Sequence, residues 1–201
     1  TGQRGHAHGL EQADAAPAAG LEALQSWASQ QGQGDLAALC QRYAAHTGNG
    51  FAAELPGPTG ERNLYVLSGR ARVACVASTS SLLLAQLAAV LAAGSTAVWP
   101  AGSSQASLLA QLPASVRASV QLSAHSEQAF VQSEAFDALI VDAASGWLPT
   151  ASTLAGRAGA IVPITAQAAD GSVPLFRLLA EHAISINTAA AGGNASLMTL
   201  D

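Results

Sequence analysis

The fold is decided by residues 73–99, which read VACVASTSSLLLAQLAAVLAAGSTAVW. The apolar ends of this stretch predict two buried strands, and the Leu-rich middle, 79–93, predicts the helix between them. Ser78 or Thr79 is placed to cap the start of that helix, and Gly94 is placed to end it. Strands that alternate with helices of this length are typical of a mostly parallel sheet.

The alternation extends over most of the chain. Strands are predicted at residues 64–67, 73–77, 97–99, 119–122, 138–142, 159–164 and 183–187. Helices are predicted at residues 21–30, 35–46, 79–93, 104–112, 126–132, 148–154 and 172–182. Asp35 is placed to cap the second helix. The sequence therefore predicts an α/β fold: a Rossmann-like, mostly parallel sheet with helices on both faces, a short N-terminal helical segment and an extended C-terminal docking tail.

The composition along the chain predicts four segments. They are a Gly-, Ala- and Pro-rich linker at 1–20, a helical connecting segment at 21–56, a Rossmann-like domain at 57–182, and a strand with a docking tail at 183–201. The helix over 79–93 is apolar nearly all round, which predicts cover on more than one side. Either a second domain or the two N-terminal helices supply that cover, and the sequence leaves both open.

The overall composition indicates a globular protein and excludes several function classes. Half of the 201 residues are hydrophobic and 10% are charged, which fits one buried core. The formal net charge of −5 offers no basic face for nucleic acid or anionic lipid. Lysine is absent, so neither a P-loop nor a pyridoxal Schiff base is possible in this chain. No apolar run approaches the ~20 residues of a membrane span.

The cysteines and histidines do not form a recognisable catalytic or metal-binding pattern. Cys40 and Cys75 are far apart and lie in apolar patterns, which predicts buried thiols in a reducing compartment. His6 and His8 could share a metal, but no third ligand lies nearby in the sequence, and we interpret them as surface histidines.

The turn after the first strand of the alternation lacks the residues that bind a dinucleotide. A Rossmann site needs GxGxxG there and an acidic residue about 20 positions further on. Residues 77–81 read ASTSS, and the next strand ends with VWP at 98–100. The hydroxyl residues either attract an anion or only cap the helix. Asp142, at the end of a strand, either faces a ligand or caps a loop, and we favour capping in both places.

Two segments are unusual for a globular domain. Residues 56–63 read PGPTGERN, a turn-rich connector, and residues 184–201 read ISINTAAAGGNASLMTLD. Chain ends usually tolerate almost any sequence. A low-charge end with small residues, a Gly pair and a final cluster of Leu and Met therefore predicts a segment that docks against another surface.

These two segments, together with residues 71–94, resemble the C-terminal region of the long form of the proline utilization A family. The resemblance covers about residues 36–201. It implies that residues 57–182 form a domain of the aldehyde dehydrogenase superfamily type that lacks catalytic function. It also implies that this domain packs on the catalytic modules, and that its terminal motif helps to seal an internal tunnel for the reaction intermediate.

The resemblance implies a bifunctional bacterial parent enzyme. An FAD-dependent proline dehydrogenase and an NAD-dependent glutamate semialdehyde dehydrogenase would together convert proline to glutamate. Both cofactors and both active sites would lie outside this chain, so no catalytic, cofactor-binding or metal residue is expected in it. The catalytic cysteine of the family follows Gly-Gln-Arg, whereas here Gly5 follows Gly2-Gln3-Arg4, and we interpret that partial match as chance.

The resemblance also implies which residues dock and on what. The positions carried over are Gly60, Glu61, Arg62, Asn63, Asn187, Thr188, Gly192, Gly193, Asn194, Ser196, Leu197 and Met198. The expected partners are the upstream proline dehydrogenase and aldehyde dehydrogenase modules, of the same polypeptide or of a neighbouring protomer in a homo-oligomer. The expected location is cytoplasmic, with peripheral association of the parent with the inner membrane.

Two other functions stay open from the residues alone. The Rossmann-like alternation would suit a free-standing, nucleotide-binding oxidoreductase subunit, although the loop at 77–81 argues against it. Asp142 at a strand end would suit a small-ligand sensor domain.

Overall fold

A computed structural model describes residues 19–142 and 147–187 of the chain. The helices are α1 (Ala19–Gln30), α2 (Gly34–His46), α3 (Ser80–Ala92), α4 (Ser103–Gln111), α5 (Ala114–Arg117), α6 (Glu127–Ser133) and α7 (Trp147–Ala155). The strands are β1 (Ala52–Leu55), β2 (Glu61–Gly69), β3 (Arg72–Val76), β4 (Thr96–Ala101), β5 (Val120–Ser126), β6 (Ala138–Asp142), β7 (Ile164–Gln167) and β8 (Leu179–Asn187). These strands form two separate sheets.

The larger sheet has five parallel strands in the order β5-β4-β3-β6-β7. Val73 of β3 stands opposite Ala97 on one side and Ala138 on the other. All five residues of β6 are buried, because helices cover both faces of the sheet. The prediction of a parallel α/β sheet with helices on both faces is confirmed.

Helix α3 begins and ends where the sequence predicts. The Thr79 hydroxyl accepts a hydrogen bond from the Leu82 N–H at 3.3 Å, so Thr79 is the capping residue. Gly94 ends the helix with φ +70°, a conformation that glycine adopts without strain. A Cβ at Gly94 would lie 2.3 Å from the side-chain nitrogen of Asn49, so the position also lacks room for a side chain.

The two N-terminal helices supply the outer cover of α3. Residues 83–92 of α3 are all buried, in one core with the apolar faces of α1 and α2. The buried residues of those two helices are Leu21, Leu24, Ala28, Leu36, Leu39, Cys40 and Tyr43. The Tyr43 hydroxyl also accepts a hydrogen bond from the Val173 N–H at 2.7 Å, which ties α2 to the segment after β7.

The smaller sheet is antiparallel, in the order β1-β2-β8, and the sequence analysis missed it as a sheet. The helix predicted at 172–182 is wrong: a 3-10 turn spans Leu175–Leu178, and β8 follows it directly. β8 pairs with β2 along its whole length. The hydrogen bonds of that pairing come from a distant part of the chain, so local periodicity could not indicate them.

Two further predictions differ from the structure. Asp35 does not cap α2, because the helix begins at Gly34 and Gln33 takes the capping position without a side-chain bond. The strand predicted at 159–164 begins only at Ile164, after Gly159 with φ +108°. The predicted division at residue 57 lies between β1 and β2, and that at 183 lies within β8; the division into segments stays a prediction.

Within residues 19–142 and 147–187, no helix has the length and apolar character needed to cross a membrane. His6 and His8 lie outside the described residues.

Candidate functional site

The antiparallel sheet brings the two unusual segments of the sequence together. Glu61 stands opposite Asn187, Arg62 opposite Ile186, and Asn63 opposite Ser185. Three of the four residues carried over from the entry segment and the first residue carried over from the tail therefore share one pair of strands. This adjacency is the main geometric fact about the predicted docking residues.

The turn before β2 depends on two glycines. Gly60 has φ +92°, and the Glu61 N–H donates to the Pro58 carbonyl at 3.1 Å. The Asn63 side chain lies directly over Gly57. A Cβ at Gly57 would be 2.6 Å from the side-chain nitrogen Nδ2 of Asn63. Residues 57–60 thus form a defined turn that leads directly into β2, where Arg62 and Asn63 lie.

One face of this sheet combines an ion pair with exposed isoleucines. The Arg62 Nε donates to the Glu54 Oε2 at 3.1 Å, and the two side chains are 53% and 47% exposed. Ile184 stands opposite Leu64, and Ile186 stands opposite Arg62, so both isoleucines lie on this same face. They are 45% and 41% exposed, which leaves an apolar strip beside the charged pair.

β8 lies at the edge of its sheet. In the part of the chain that the structure describes, its one neighbouring strand is β2, and residues 181–187 are exposed. An edge strand presents N–H and C=O groups on its outer side that can pair with a further strand. The remaining predicted docking residues lie outside the described residues: Thr188, Gly192, Gly193, Asn194, Ser196, Leu197 and Met198.

Asp142 and Ser78 meet at the carboxyl edge of the parallel sheet. The strand order reverses between β3 and β6, the point where open α/β sheets bind ligands. There the Asp142 Oδ2 accepts one hydrogen bond from the Ser78 N–H at 3.0 Å and another from the Ser78 hydroxyl. Asp142 is 1% exposed. These two bonds are those of an acid that caps the loop before α3, which fits the favoured interpretation of Asp142.

The two cysteines are buried, free thiols, as predicted. Burial raises the pKa of Cys40 to about 12, and burial also raises the pKa of the Cys75 thiol. Both therefore remain protonated and unreactive at neutral pH. Among the described residues, no group of three His, Cys, Asp or Glu side chains could hold a metal ion.

The sequence analysis missed β1 and its Glu54, the ionic partner of Arg62. The signal in the sequence is weak, since β1 has four residues and follows a helix and a Gly-rich turn. The opposite charges of Glu54 and Arg62 could have indicated a hairpin, because residues of opposite charge often pair across neighbouring antiparallel strands.

Bifunctional PutA proteins from several bacteria match most of this chain in sequence. It is 42% identical over 182 residues to the bifunctional protein PutA of Escherichia coli strain K12, which covers 90% of this chain and 13% of that protein. It is 44% identical over 174 residues to the bifunctional protein PutA of Klebsiella aerogenes, which covers 86% of this chain and 13% of that protein. The chain thus spans 13% of the length of these curated relatives. No protein-family model matches it.

Solved structures share the fold. Proline utilization A from Bdellovibrio bacteriovorus, inactivated by N-propargylglycine, superposes with a TM-score of 0.57 at 13% identity, over 74% of this chain and 20% of that chain. An aldehyde dehydrogenase from Brucella melitensis biovar abortus 2308 superposes with a TM-score of 0.54 at 13% identity, over 74% of this chain and 38% of that one. The sheet and its helices thus have an aldehyde dehydrogenase-like fold. With the sequence identities to the bifunctional relatives, this chain belongs to the proline utilization A family, as a part of such a protein.

Proposed function

We propose that this chain is the C-terminal, non-catalytic module of a bifunctional enzyme that converts proline to glutamate. In this proposal the module docks on the upstream catalytic modules and helps to seal the tunnel that carries the intermediate between two active sites. The observation that carries the proposal is the pairing of Glu61 with Asn187, because it joins the two sequence segments for which a docking role was predicted.

The exposed edge of β8 supports a docking role. Its outer backbone groups can pair with a strand of the partner, and Ile184 and Ile186 can fill an apolar groove beside it. Residues 188–201 continue directly from Asn187, so the tail starts at this same edge. The edge strand and the tail would therefore contact one partner surface, in the same polypeptide or in a neighbouring protomer of a homo-oligomer.

The residues at the carboxyl edge of the parallel sheet support the part of the proposal that places both cofactors outside this chain. The Ser78 N–H is of the kind that binds phosphate in Rossmann folds, and here it donates to Asp142. The carboxylate would repel a pyrophosphate, and residues 77–81 contain no glycine for its close approach. These residues do not fit a dinucleotide. In the proposal, FAD and NAD bind to the upstream modules of a cytoplasmic parent enzyme.

The test is made in the full-length enzyme that carries this sequence, with residues 188–201 deleted. We expect proline oxidation with an artificial electron acceptor to continue. NADH formation from proline should show a lag, because the intermediate would escape through the unsealed tunnel and accumulate in solution. The matched control keeps the length and composition of the tail but scrambles its order, and should behave like the deletion. Unchanged coupling and no released intermediate in the deletion variant would refute the tunnel role.

A further inference from the structure

A cleft of about 1250 Å³ lies between α2, the first turns of α3, and the turn at residues 169–172. Polar and apolar residues line it in similar measure, and its apolar part includes Leu39 of α2 and Leu84 of α3, both of which are largely buried. It lies on the helical side of the molecule, and none of its lining residues belongs to the antiparallel sheet. Clefts that combine apolar walls with polar groups are the usual form of small-molecule sites.

The turn at one end of this cleft is held by buried contacts. The buried Gln167 side chain donates to the Gly171 carbonyl at 2.9 Å and to the Leu82 carbonyl at 3.1 Å. Gly171, with φ +80°, packs so closely on α3 that a Cβ there would lie 3.3 Å from the Ala85 Cβ. The Tyr43 hydroxyl fixes α2 against the same segment through the Val173 N–H. The walls of this end of the cleft are therefore fixed relative to each other.

Arg42 and Asp170 carry opposite charges at this end of the cleft without forming an ion pair. The ion pairs of the described residues join Arg62 to Glu54 and Arg72 to Glu134, so the charged atoms of Arg42 and Asp170 lie beyond 4.0 Å from each other. Asp170 accepts a hydrogen bond from the Ser172 N–H at 2.9 Å.

The carboxyl group of Asp170 is held in its ionised form. Hydrogen bonds from Ser172 lower the pKa of Asp170, and the nearby Arg42 guanidinium lowers it further. A cation and an anion thus face one cleft with space between them. A ligand that carries both charges close together could bridge this space, and its apolar part could cover Leu39 and Leu84.

We propose that this cleft binds a small zwitterion of the α-amino-acid type with an apolar side chain. The ligand carboxylate would contact Arg42, in the geometry that a guanidinium favours, and the ammonium group would contact Asp170. The side chain would lie on the apolar part of the cleft. Asp35 also lines the cleft, but it lies two helical turns from Arg42, roughly 10 Å along α2. Two carboxylates against one guanidinium disfavour a polyanion such as a nucleotide.

The test is isothermal titration of the 201-residue chain with L-leucine and, separately, with L-phenylalanine. We expect saturable binding that Arg42→Gln and Asp170→Asn each weaken by about tenfold, the loss of one charge-assisted contact. Two ligand analogues sharpen the test. Leucinamide lacks the carboxylate, so its affinity should not respond to Arg42→Gln. N-acetyl-leucine lacks the ammonium group, so its affinity should not respond to Asp170→Asn.

Matched controls are Arg177→Gln and Glu22→Gln, which remove exposed charges that do not line the cleft. Both should bind the amino acids as the unchanged chain does. The absence of saturable heat with both amino acids, or equal affinities in the unchanged chain and in the two cleft variants, would overturn the proposal. These titrations concern the chain alone, so they neither require nor test the docking function proposed above.

Discussion

Asp142 accepts two hydrogen bonds from Ser78, one from the backbone N–H and one from the hydroxyl, at the point in the parallel sheet where the order of the strands reverses. Asp142 ends β6 and Ser78 lies in the loop between β3 and α3, so this contact joins the end of β6 to the start of α3. In nucleotide-binding relatives of this fold class, the same place receives a phosphate group. Here a protein carboxylate takes the N–H that would otherwise be available to a ligand.

Replacing Asp142 by Ala should destabilise the chain by about 1–3 kcal/mol, because the Ser78 N–H would lose its acceptor at a partly buried site. Urea unfolding followed by circular dichroism measures the change. Glu22→Gln on the exposed face of α1 is the control and should stay within about 0.5 kcal/mol. Equal stabilities of Asp142→Ala and the unchanged chain would show that the contact does not support the fold.

Calorimetric titration of the chain with NAD should give no saturable heat. The loop at 77–81 has no glycine and Asp142 places negative charge beside it, so both close approach and charge disfavour a pyrophosphate. Saturable binding would instead favour a nucleotide-binding oxidoreductase subunit. A ligand-induced rise in melting temperature that Asp142→Ala abolishes would favour the sensor function.

Gly94→Ala should cost about 1 kcal/mol or more, because alanine disfavours φ +70° and its Cβ would collide with the Asn49 side chain. Gly34→Ala is a matched control, since Gly34 begins α2, has no positive φ and leaves open space for a Cβ. That control should stabilise the chain by a few tenths of a kcal/mol, up to about 1. Urea unfolding compares the two, and a neutral Gly94→Ala would contradict the helix end described here.

The parallel sheet could be predicted from the sequence because its signals are local. The strand at Arg72–Val76, the cap at Thr79 and the stop at Gly94 each follow from residues within one short stretch. The antiparallel sheet could not, because β8 is defined by pairing with β2, far earlier in the chain. Only its residues 183–187 were predicted as a strand, and residues 179–182 were assigned to the end of a helix.

The candidate sites show the same division between local and distant information. Family resemblance indicated Arg62 and Asn187 separately, but their proximity depends on strand register. Arg42 and Asp170 had no sequence signal at all, because the Tyr43–Val173 hydrogen bond and the turn after β7 bring them to one cleft. Residue type and spacing do not encode such long-range contacts.

Stability should fall as the pH is lowered, in part through Glu134. A hydrogen bond from Ser123 lowers the pKa of Glu134 below its ordinary value of 4.5, and the Arg72 guanidinium, 2.8 Å away, lowers it further. A carboxyl group with a lowered pKa in the folded state contributes stability above its unfolded pKa and loses it as the pH falls through the folded pKa. Urea unfolding between pH 7 and about pH 3 should show this loss.

Glu134→Gln isolates that contribution. The variant should be less stable than the unchanged chain at pH 7, and the difference should shrink as the pH falls below the ordinary pKa of 4.5. Glu54→Gln is the matched control, because its ion pair with Arg62 is about half-exposed and should contribute little at any pH. A difference for Glu134→Gln that is constant over this pH range would contradict the ionic origin of the effect.

The last prediction separates docking from folding. Ile186→Thr keeps a β-branched residue in β8, and since Ile186 is 41% exposed, the free energy of unfolding of the chain should change by no more than about 0.5 kcal/mol. In the full-length enzyme the same change should weaken coupling between the two reactions, because the apolar strip would lose contact with its groove. Phe176→Ala, at a 72% exposed position outside the antiparallel sheet, is the control and should leave coupling intact. Coupling unchanged by Ile186→Thr, or lost equally with Phe176→Ala, would exclude the strip as the docking surface.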